Sequence, residues 1–265
     1  MGICKDQATT YLKDLGYNVV RHPREGIEPL QLIGRQNKSV LQLGSLDKLI
    51  TSPPGPLPAI TRDQIATDLS GQASSKLDLA VGLNILGSFI KAMTGNNLGL
   101  KASYKQARKI QFEFAEVTTD SVVPLDVGSY LRDGEVDDDN LVLEQYVLGN
   151  GSLYLITRTV KAKKFTVTAE KSNGTGVELE VPVIQQAVGG SVKVSADSER
   201  SSKITYEGPV ALTFGFQSFE VGVAGGVLSL VSAKAGVVAL AVEGGQVEDV
   251  KPTVLEAGGL LDFDQ

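Results

Sequence analysis

Residues 141–169 read LVLEQYVLGNGSLYLITRTVKAKKFTVTA, and this stretch decides the fold class. Leu141–Leu148 and Leu153–Val160 flank Gly149-Asn150-Gly151, and Asn-Gly is a favoured two-residue hairpin turn. Further on, Phe165, Val167 and Ala169 alternate with Thr166 and Thr168, which is the period of a strand with one apolar face. The stretch predicts a hairpin followed by a continuing strand.

Outward from it the same rhythm recurs. Upstream, Leu98, Leu100, Ala102 and Tyr104 alternate with Lys101, Ser103 and Lys105. Past Gln106-Ala107-Arg108, the set Ile110, Phe112 and Phe114 alternates with Lys109, Gln111 and Glu113. Downstream, Ser172-Asn173-Gly174 turns the chain, and Val177, Leu179, Val181 and Val183 alternate with Glu178 and Glu180. Shorter strands are predicted at 192–196, 204–206, 210–216, 219–223 and 237–242. Helical spacing is confined to two places. Leu77–Met93 sets Leu79, Leu83, Leu86, Ile90 and Met93 on one face and is stopped by Thr94-Gly95-Asn96-Asn97, while residues 6–20 read as a short helix, or a helix and a strand. The proline-rich run 52–58 is an extended connection, because proline lacks a donor and fixes φ. The expected class is α+β.

Composition removes several functions. A net charge of −6 argues against general nucleic-acid binding, which needs a basic face. With one cysteine, Cys4, and one histidine, His22, the chain can form neither an internal disulfide nor a Cys/His zinc site alone. Cytoplasmic residence follows as the expectation. No nucleophile elbow, phosphate loop, dinucleotide fingerprint or zinc-protease motif is present, so no enzyme is expected. His22 is read as an exposed turn residue, and Asp137-Asp138-Asp139 as a solvated turn that lacks calcium-loop spacing. No cofactor is expected. Leu77–Ile90 is too short and too mixed to cross a bilayer as a helix, although membrane strands leave a weaker trace.

Charge and hydropathy separate the end of the chain from the rest. Residues 244–265 hold Glu248, Asp249, Glu256, Asp262 and Asp264 against Lys251 alone. Between them lie Val250, Val254, Leu255, Leu260, Leu261 and Phe263, too apolar for a merely solvating acidic segment, so this tail should pack against something. Basic residues gather instead on the alternating regions: Lys101, Lys105, Arg108 and Lys109, then Arg158, Lys161, Lys163 and Lys164. They suit anionic lipid headgroups, although the pattern by itself favours the wet side of a half-buried sheet. Cys4 is either a site of S-acylation or a small buried hydrophobe.

The whole chain resembles the bacterial gasdermins. The resemblance lies in Met1-Gly2-Ile3-Cys4, in Leu98–Tyr104 leading through lysines into Ile110–Phe114, in Val122–Leu131, and in Leu153–Lys164 running into a basic turn. It implies a single twisted, mostly antiparallel central sheet with surrounding helices over residues 1–243, and a C-terminal inhibitory peptide over 244–265. It further implies that a caspase-like protease cuts before that peptide, within Ala241, Val242, Glu243, Gly244, Gly245, Gln246, Val247, Glu248 and Asp249. A cytoplasmic monomer would then become a homo-oligomeric β-barrel pore in the inner membrane, causing cell death in antiphage defence. Each subunit would insert two hairpins, from about Leu98 to Val117 and Leu153 to Val183, with lipid-side residues Leu98, Leu100, Ala102, Tyr104, Ile110, Phe112, Phe114, Leu153, Leu155, Phe165, Val167, Val177, Leu179 and Val181. Cys4 matches the family's palmitoylated cysteine. Inhibition would rest on Leu255, Leu260, Leu261 and Phe263, with the tail's acidic residues masking basic hairpin residues. The competing readings are a β-rich ligand-binding domain, disfavoured by the absence of tryptophan, and a self-assembling structural protein.

Overall fold

The computed structural model describes residues 12–71, 73–74, 76–95, 99–137, 139–140, 144–146, 149–196, 198–224, 227–231, 252–256 and 260–263. After a helical turn at 12–14, the chain lays down β1 (Asn18–Arg24), β2 (Gln31–Gln36), β3 (Ser39–Ser45), β4 (Ile50–Ser52), β5 (Thr61–Ile65) and β6 (Leu77–Asp78). Helices α1 (Leu79–Thr94) and α2 (Leu100–Ser103) lead into β7 (Lys109–Ala115) and β8 (Thr118–Ser121). Next come α3 (Pro124–Asp133), β9 (Glu135–Val136) and the 19-residue β10 (Ser152–Glu170). The remainder is β11 (Leu179–Glu180), α4 (Val181–Val188), β12 (Lys193–Ser195), β13 (Arg200–Ser201), the 22-residue β14 (Lys203–Ala224) and β15 (Val227–Val231).

The two long strands organise everything else. β10 and β14 run antiparallel, from Leu153 opposite Val221 to Thr168 opposite Lys203. On its other side β10 meets β2 at Ser152–Leu155, β8 at Arg158–Lys161 and β7 at Lys164–Glu170, all antiparallel. β1 pairs with the middle of β14, and β15 with its end. The result is one large antiparallel sheet with a few helices, as the resemblance implies.

Helix α1 forms where its period predicts and buries Leu86, Phe89, Ile90 and Met93 against the sheet. It stops at Gly95, whose φ of 76° lets its N–H bond back to the Lys91 carbonyl, a left-handed end that glycine adopts without Cβ strain.

Five expectations need correction. Residues 144–146 form a helical turn rather than the first arm of a hairpin, because Glu144 N–H bonds to Asn140 O and the Gly149 amide closes back on Glu144 O. The partner of Ser152–Leu155 is β2. Leu100–Ser103 is a helix entered through Gly99 at φ 92°; Leu100 and Tyr104 are both buried, and their spacing fits one helix face as well as a strand. Val181 and Val183 belong to α4, where Pro182 sits in the first turn, a position that needs no donor. The strands expected at 204–206, 210–216 and 219–223 are one strand. His22 lies on β1, exposed, and not in a turn. Cys4, Asn97, Leu98, residues 141–143, 147–148, 237–242 and the window Ala241–Asp249 lie outside the described residues.

Candidate functional site

The C-terminal segment crosses the sheet where β1 would otherwise present a free edge. Leu261 donates its N–H to Val19 O at 2.8 Å and accepts from Arg21 N–H at 2.7 Å, a parallel bridge on the side of β1 away from β14. Thr253 N–H bonds to Ser218 O at 2.7 Å. Between these points the tail backbone is read by side chains. Asn18, 1% exposed, accepts from Leu255 N–H at 2.6 Å and donates through Nδ2 to Thr253 O at 2.9 Å. Arg35 Nη1 donates to Leu255 O at 2.6 Å. A buried asparagine on β1 thus does for the tail what a neighbouring strand's backbone would do.

The apolar side chains follow. Leu255 and Leu261 are buried with Val20, Ile27, Ile33, Val40, Tyr154, Ile156 and Phe216. Phe263 packs at the edge of that cluster, 5.9 Å from the Phe216 ring, with the Arg24 guanidinium 4.9 Å from its centroid, a cation–π contact. Leu260, half-buried, walls a cleft of about 640 Å³ with Arg21, His22 and the outer side of α1. Residues 253–256 and 260–263 are therefore held by backbone, apolar side chains and charge together.

Asp262 pairs with Arg21 at 3.3 Å and approaches His22 at 3.8 Å. This corrects one expectation: the tail carboxylate whose partners are described meets β1, not the basic residues of the alternating segments. Arg21, Asn18 and Arg35 were not singled out in the sequence. No sequence signal marked Asn18, which opens a strand that also carries Arg21, His22 and Arg24, and an exposed β1 edge cannot be seen before the sheet order is known.

The basic residues divide into two groups. Lys101, Lys105, Arg108 and Lys163 are exposed. Lys109 pairs with Asp78 at 2.5 Å and Lys164 with Glu116 at 3.3 Å. Lys161 is mostly buried, with Nζ 2.8 Å from Asp120 and 2.9 Å from Asp63, so it braces β5, β8 and β10 and offers little charge to a headgroup. Burial works against that ammonium, yet the hydrogen bonds to the two carboxylates outweigh it and raise its pKa above the ordinary lysine value. The same contact holds Asp63 below the usual carboxylate value.

Of the expected membrane residues, Ile110, Phe112, Phe165, Val167, Val177 and Leu179 are buried beneath the helices, Phe114 is packed against the same core, and Leu153 and Leu155 lie in the neighbouring core cluster. Ala102 is exposed. Among the described residues there is no cluster of metal-ligating side chains, and no helix is long and apolar enough to cross a membrane.

A large antiparallel sheet with one-sided strands, helices over one part and a C-terminal segment strapped over another defines the class as a gasdermin-type fold. Comparison supports this throughout. The family model described as the Bacterial Gasdermin Family matches residues 20–229. Gasdermin bGSDM of a Vitiosangium species is 52% identical over 265 residues, covering 100% of this chain and 99% of that one. The Lysobacter enzymogenes Gasdermin bGSDM is 33% identical with 97% of each chain covered. The solved structure of a bacterial gasdermin from Bradyrhizobium tropiciagri superposes with a TM-score of 0.62 at 16% identity, over 85% of this chain and 90% of that one, which shows a shared fold. The chain belongs to the bacterial gasdermin family, a family of pore-forming, non-enzymatic proteins, which accords with the missing catalytic motifs.

Proposed function

We propose that this protein is an autoinhibited pore former, released when a caspase-like protease cuts within 241–249 and detaches residues 244–265 from the core of residues 1–243. The observation that carries the proposal is the tail seam. Leu255 and Leu261 are buried, and the Leu261 backbone occupies the edge of β1. A strand edge left open is a template for pairing with another chain, so the tail keeps the protein monomeric and its loss exposes an assembly surface. Each apolar side chain of that size contributes about 1.5–3 kcal/mol when fully buried. A tethered tail stays in place at that strength, because the linker keeps its effective concentration in roughly the millimolar range. A severed one is diluted away.

The intact chain rests in the cytoplasm; the released core oligomerises into a β-barrel pore in the inner membrane, and the cell dies, which limits phage spread. Lys101, Lys105, Arg108 and Lys163 would meet anionic headgroups at about 1 kcal/mol each near the surface. A palmitoyl group on Cys4 would add a second membrane signal. The first inserting segment draws on Leu98–Val117. The second, expected over Leu153–Val183, keeps β10, but its return arm runs into the first turn of α4, which would have to unwind.

The test is dye release from anionic vesicles by the full chain carrying a specific protease site between Gly244 and Gly245. Cutting should raise leakage at least tenfold over uncut protein. Equal leakage before and after cutting would remove autoinhibition from the account.

A further inference from the structure

The outer side of α1 is unlike the side it turns to the sheet. Leu86, Phe89, Ile90 and Met93 are buried, whereas Val81, Asn84, Ser88 and Lys91 follow one another at helical spacing along the opposite ridge. Across the cleft of about 640 Å³ that ridge meets Arg21 and His22 of β1 and Leu260 of the tail. The volume is that of a small-molecule site, about 300–1,000 Å³.

The lining has two characters. Val81, Ile85 and Leu260 give it an aliphatic wall, with no aromatic ring. Arg21, His22, Lys91 and Asn84 give it cations and an amide, and no aspartate or glutamate lines it, in a chain whose net charge is −6. Several of these donors are uncommitted. Among the described residues Lys91 has no ion-pair partner and the Asn84 amide no hydrogen-bond partner. Arg21 pairs with Asp262 through Nη1 at 3.3 Å, which leaves the rest of its planar fork to a second anion. The rim already holds one anion, since the Asp262 carboxylate also lies 3.8 Å from His22 Nε2.

Catalysis is not what these groups are arranged for. The Ser88 hydroxyl donates to Asn84 O at 2.9 Å, one helical turn back. His22 Nδ1, 3.1 Å away, therefore donates to Ser88 Oγ and takes no proton from it, so the serine fixes the imidazole and is not activated by it. A phosphomonoester suits the lining better than a carboxylate does. It carries about −1.5 to −2 charge at neutral pH and three strong acceptor oxygens, enough to meet donors from β1 and α1 together. A carboxylate brings one charge and two oxygens. The aliphatic wall calls for an apolar body beyond the phosphate.

We propose that this cleft binds a small soluble phosphomonoester, its phosphate on Arg21, Asn84 and Lys91 and its apolar body on Val81, Ile85 and Leu260, and that its occupation holds the tail on the sheet. Leu260 forms part of the wall, so the cleft is complete only with the tail in place. Linkage makes the coupling reciprocal: the factor by which the tail raises ligand affinity is the factor by which the ligand retains the tail. Binding needs only the cleft, whereas tail retention rests on the autoinhibition reading above and supplies it with an effector.

Monobutyl phosphate, titrated calorimetrically into the full chain, is the probe. It should bind at least tenfold more tightly than inorganic phosphate, which lacks the body, while butanol, which lacks the charge, gives no binding heat. Lys91→Gln changes an exposed side chain and should leave Tm unaltered while weakening monobutyl phosphate at least fivefold. Leu260→Ser should weaken it at least threefold and leave inorganic phosphate as it was. Equal affinity of the parent chain and Lys91→Gln, or no heat at millimolar monobutyl phosphate, would overturn the site. So would Lys91-dependent binding of phosphatidate vesicles without binding of monobutyl phosphate, which would make this surface a lipid contact. For the tail, the chain with the protease site of the previous section is cut and assayed for vesicle dye release. Saturating monobutyl phosphate should slow release at least threefold, with no effect on the cut Lys91→Gln protein. Unchanged release from cut protein that binds the probe would overturn tail retention. Equal release from cut and uncut protein without the probe would instead remove the autoinhibition reading and leave the calorimetry standing.

Discussion

Two apolar faces of one sheet are covered in this molecule, and they are covered by different physics. The tail lies over the β1 side with backbone hydrogen bonds at Leu261 and Thr253, the amide of Asn18, the guanidinium of Arg35 and a surface ion pair at Asp262. Helix α1 lies over β7, β10 and β14 with Leu86, Phe89 and Ile90, each no more than 1% exposed. Water can substitute for the tail's hydrogen bonds and ion pair, since exchanging a hydrogen bond with solvent nets only about 0.5–1.5 kcal/mol, though not for the burial of Leu255 and Leu261. It cannot substitute for what holds the helix. The tail is thus the more polar and more exposed of the two covers.

The sharpest way to break this comparison is to truncate one side chain on each side. Phe165→Ala, at a fully buried position beneath α1, should cost about 3–5 kcal/mol. For a chain of this size that lowers Tm by roughly 2–4 °C per kcal/mol in a thermal melt. Leu261→Ala should fall at the low end of the Leu→Ala range, about 2 kcal/mol, because solvent can enter the seam from its open side. A larger Tm loss from Leu261→Ala than from Phe165→Ala would invert the ranking of the two covers.

A mid-sized effect probes the polar exception inside the helix-covered half. Tyr104 and Tyr206 are both fully buried, and their hydroxyls share one hydrogen bond of 2.6 Å. Tyr206→Phe strands the Tyr104 hydroxyl and should cost about 1–3 kcal/mol, whereas changing both to Phe should be nearly neutral. Burial raises both phenols above the ordinary value of 10.0. Stability from this pair is therefore whole below pH 10 and falls as pH rises past it, because the unfolded chain releases those protons first. A denaturant titration at pH 8 and pH 11 should show that loss in the native chain and less of it in the double Phe variant.

Much of the β7/β10 pair was legible in the sequence because its apolar residues recur every second position, and Ile110–Phe114 and Phe165–Ala169 lie where that rhythm places them. The rhythm misled where the same residues satisfy two periods. Leu100 and Tyr104 are four apart, which suits alternation and a helix face alike, and the turn beginning at Gly99 decided for the helix. Val181 and Val183 failed for a similar reason: Pro182 favours the first turn of a helix and was outvoted by alternation. The tail's apolar content announced that it must pack somewhere, but its partners could not be read. Asn18 and Arg35 lie more than 200 residues from Leu255 in sequence, and only the sheet order brings them together.

The smallest effect sharpens the seam itself. Asp262 and Arg21 are each about half exposed, so their ion pair should contribute no more than about 1 kcal/mol. Asp262→Asn keeps the shape of the side chain and removes the charge. Hydrogen exchange at the Arg21 amide, which bonds to Leu261 O at 2.7 Å, reads the seam directly. It should quicken by no more than about fivefold in the variant, and the difference should shrink in high salt as the pair is screened. If exchange quickened a hundredfold and did so equally in high salt, Asp262 would be holding the tail by something other than charge. Packing and backbone pairing would then no longer rank above it in the seam.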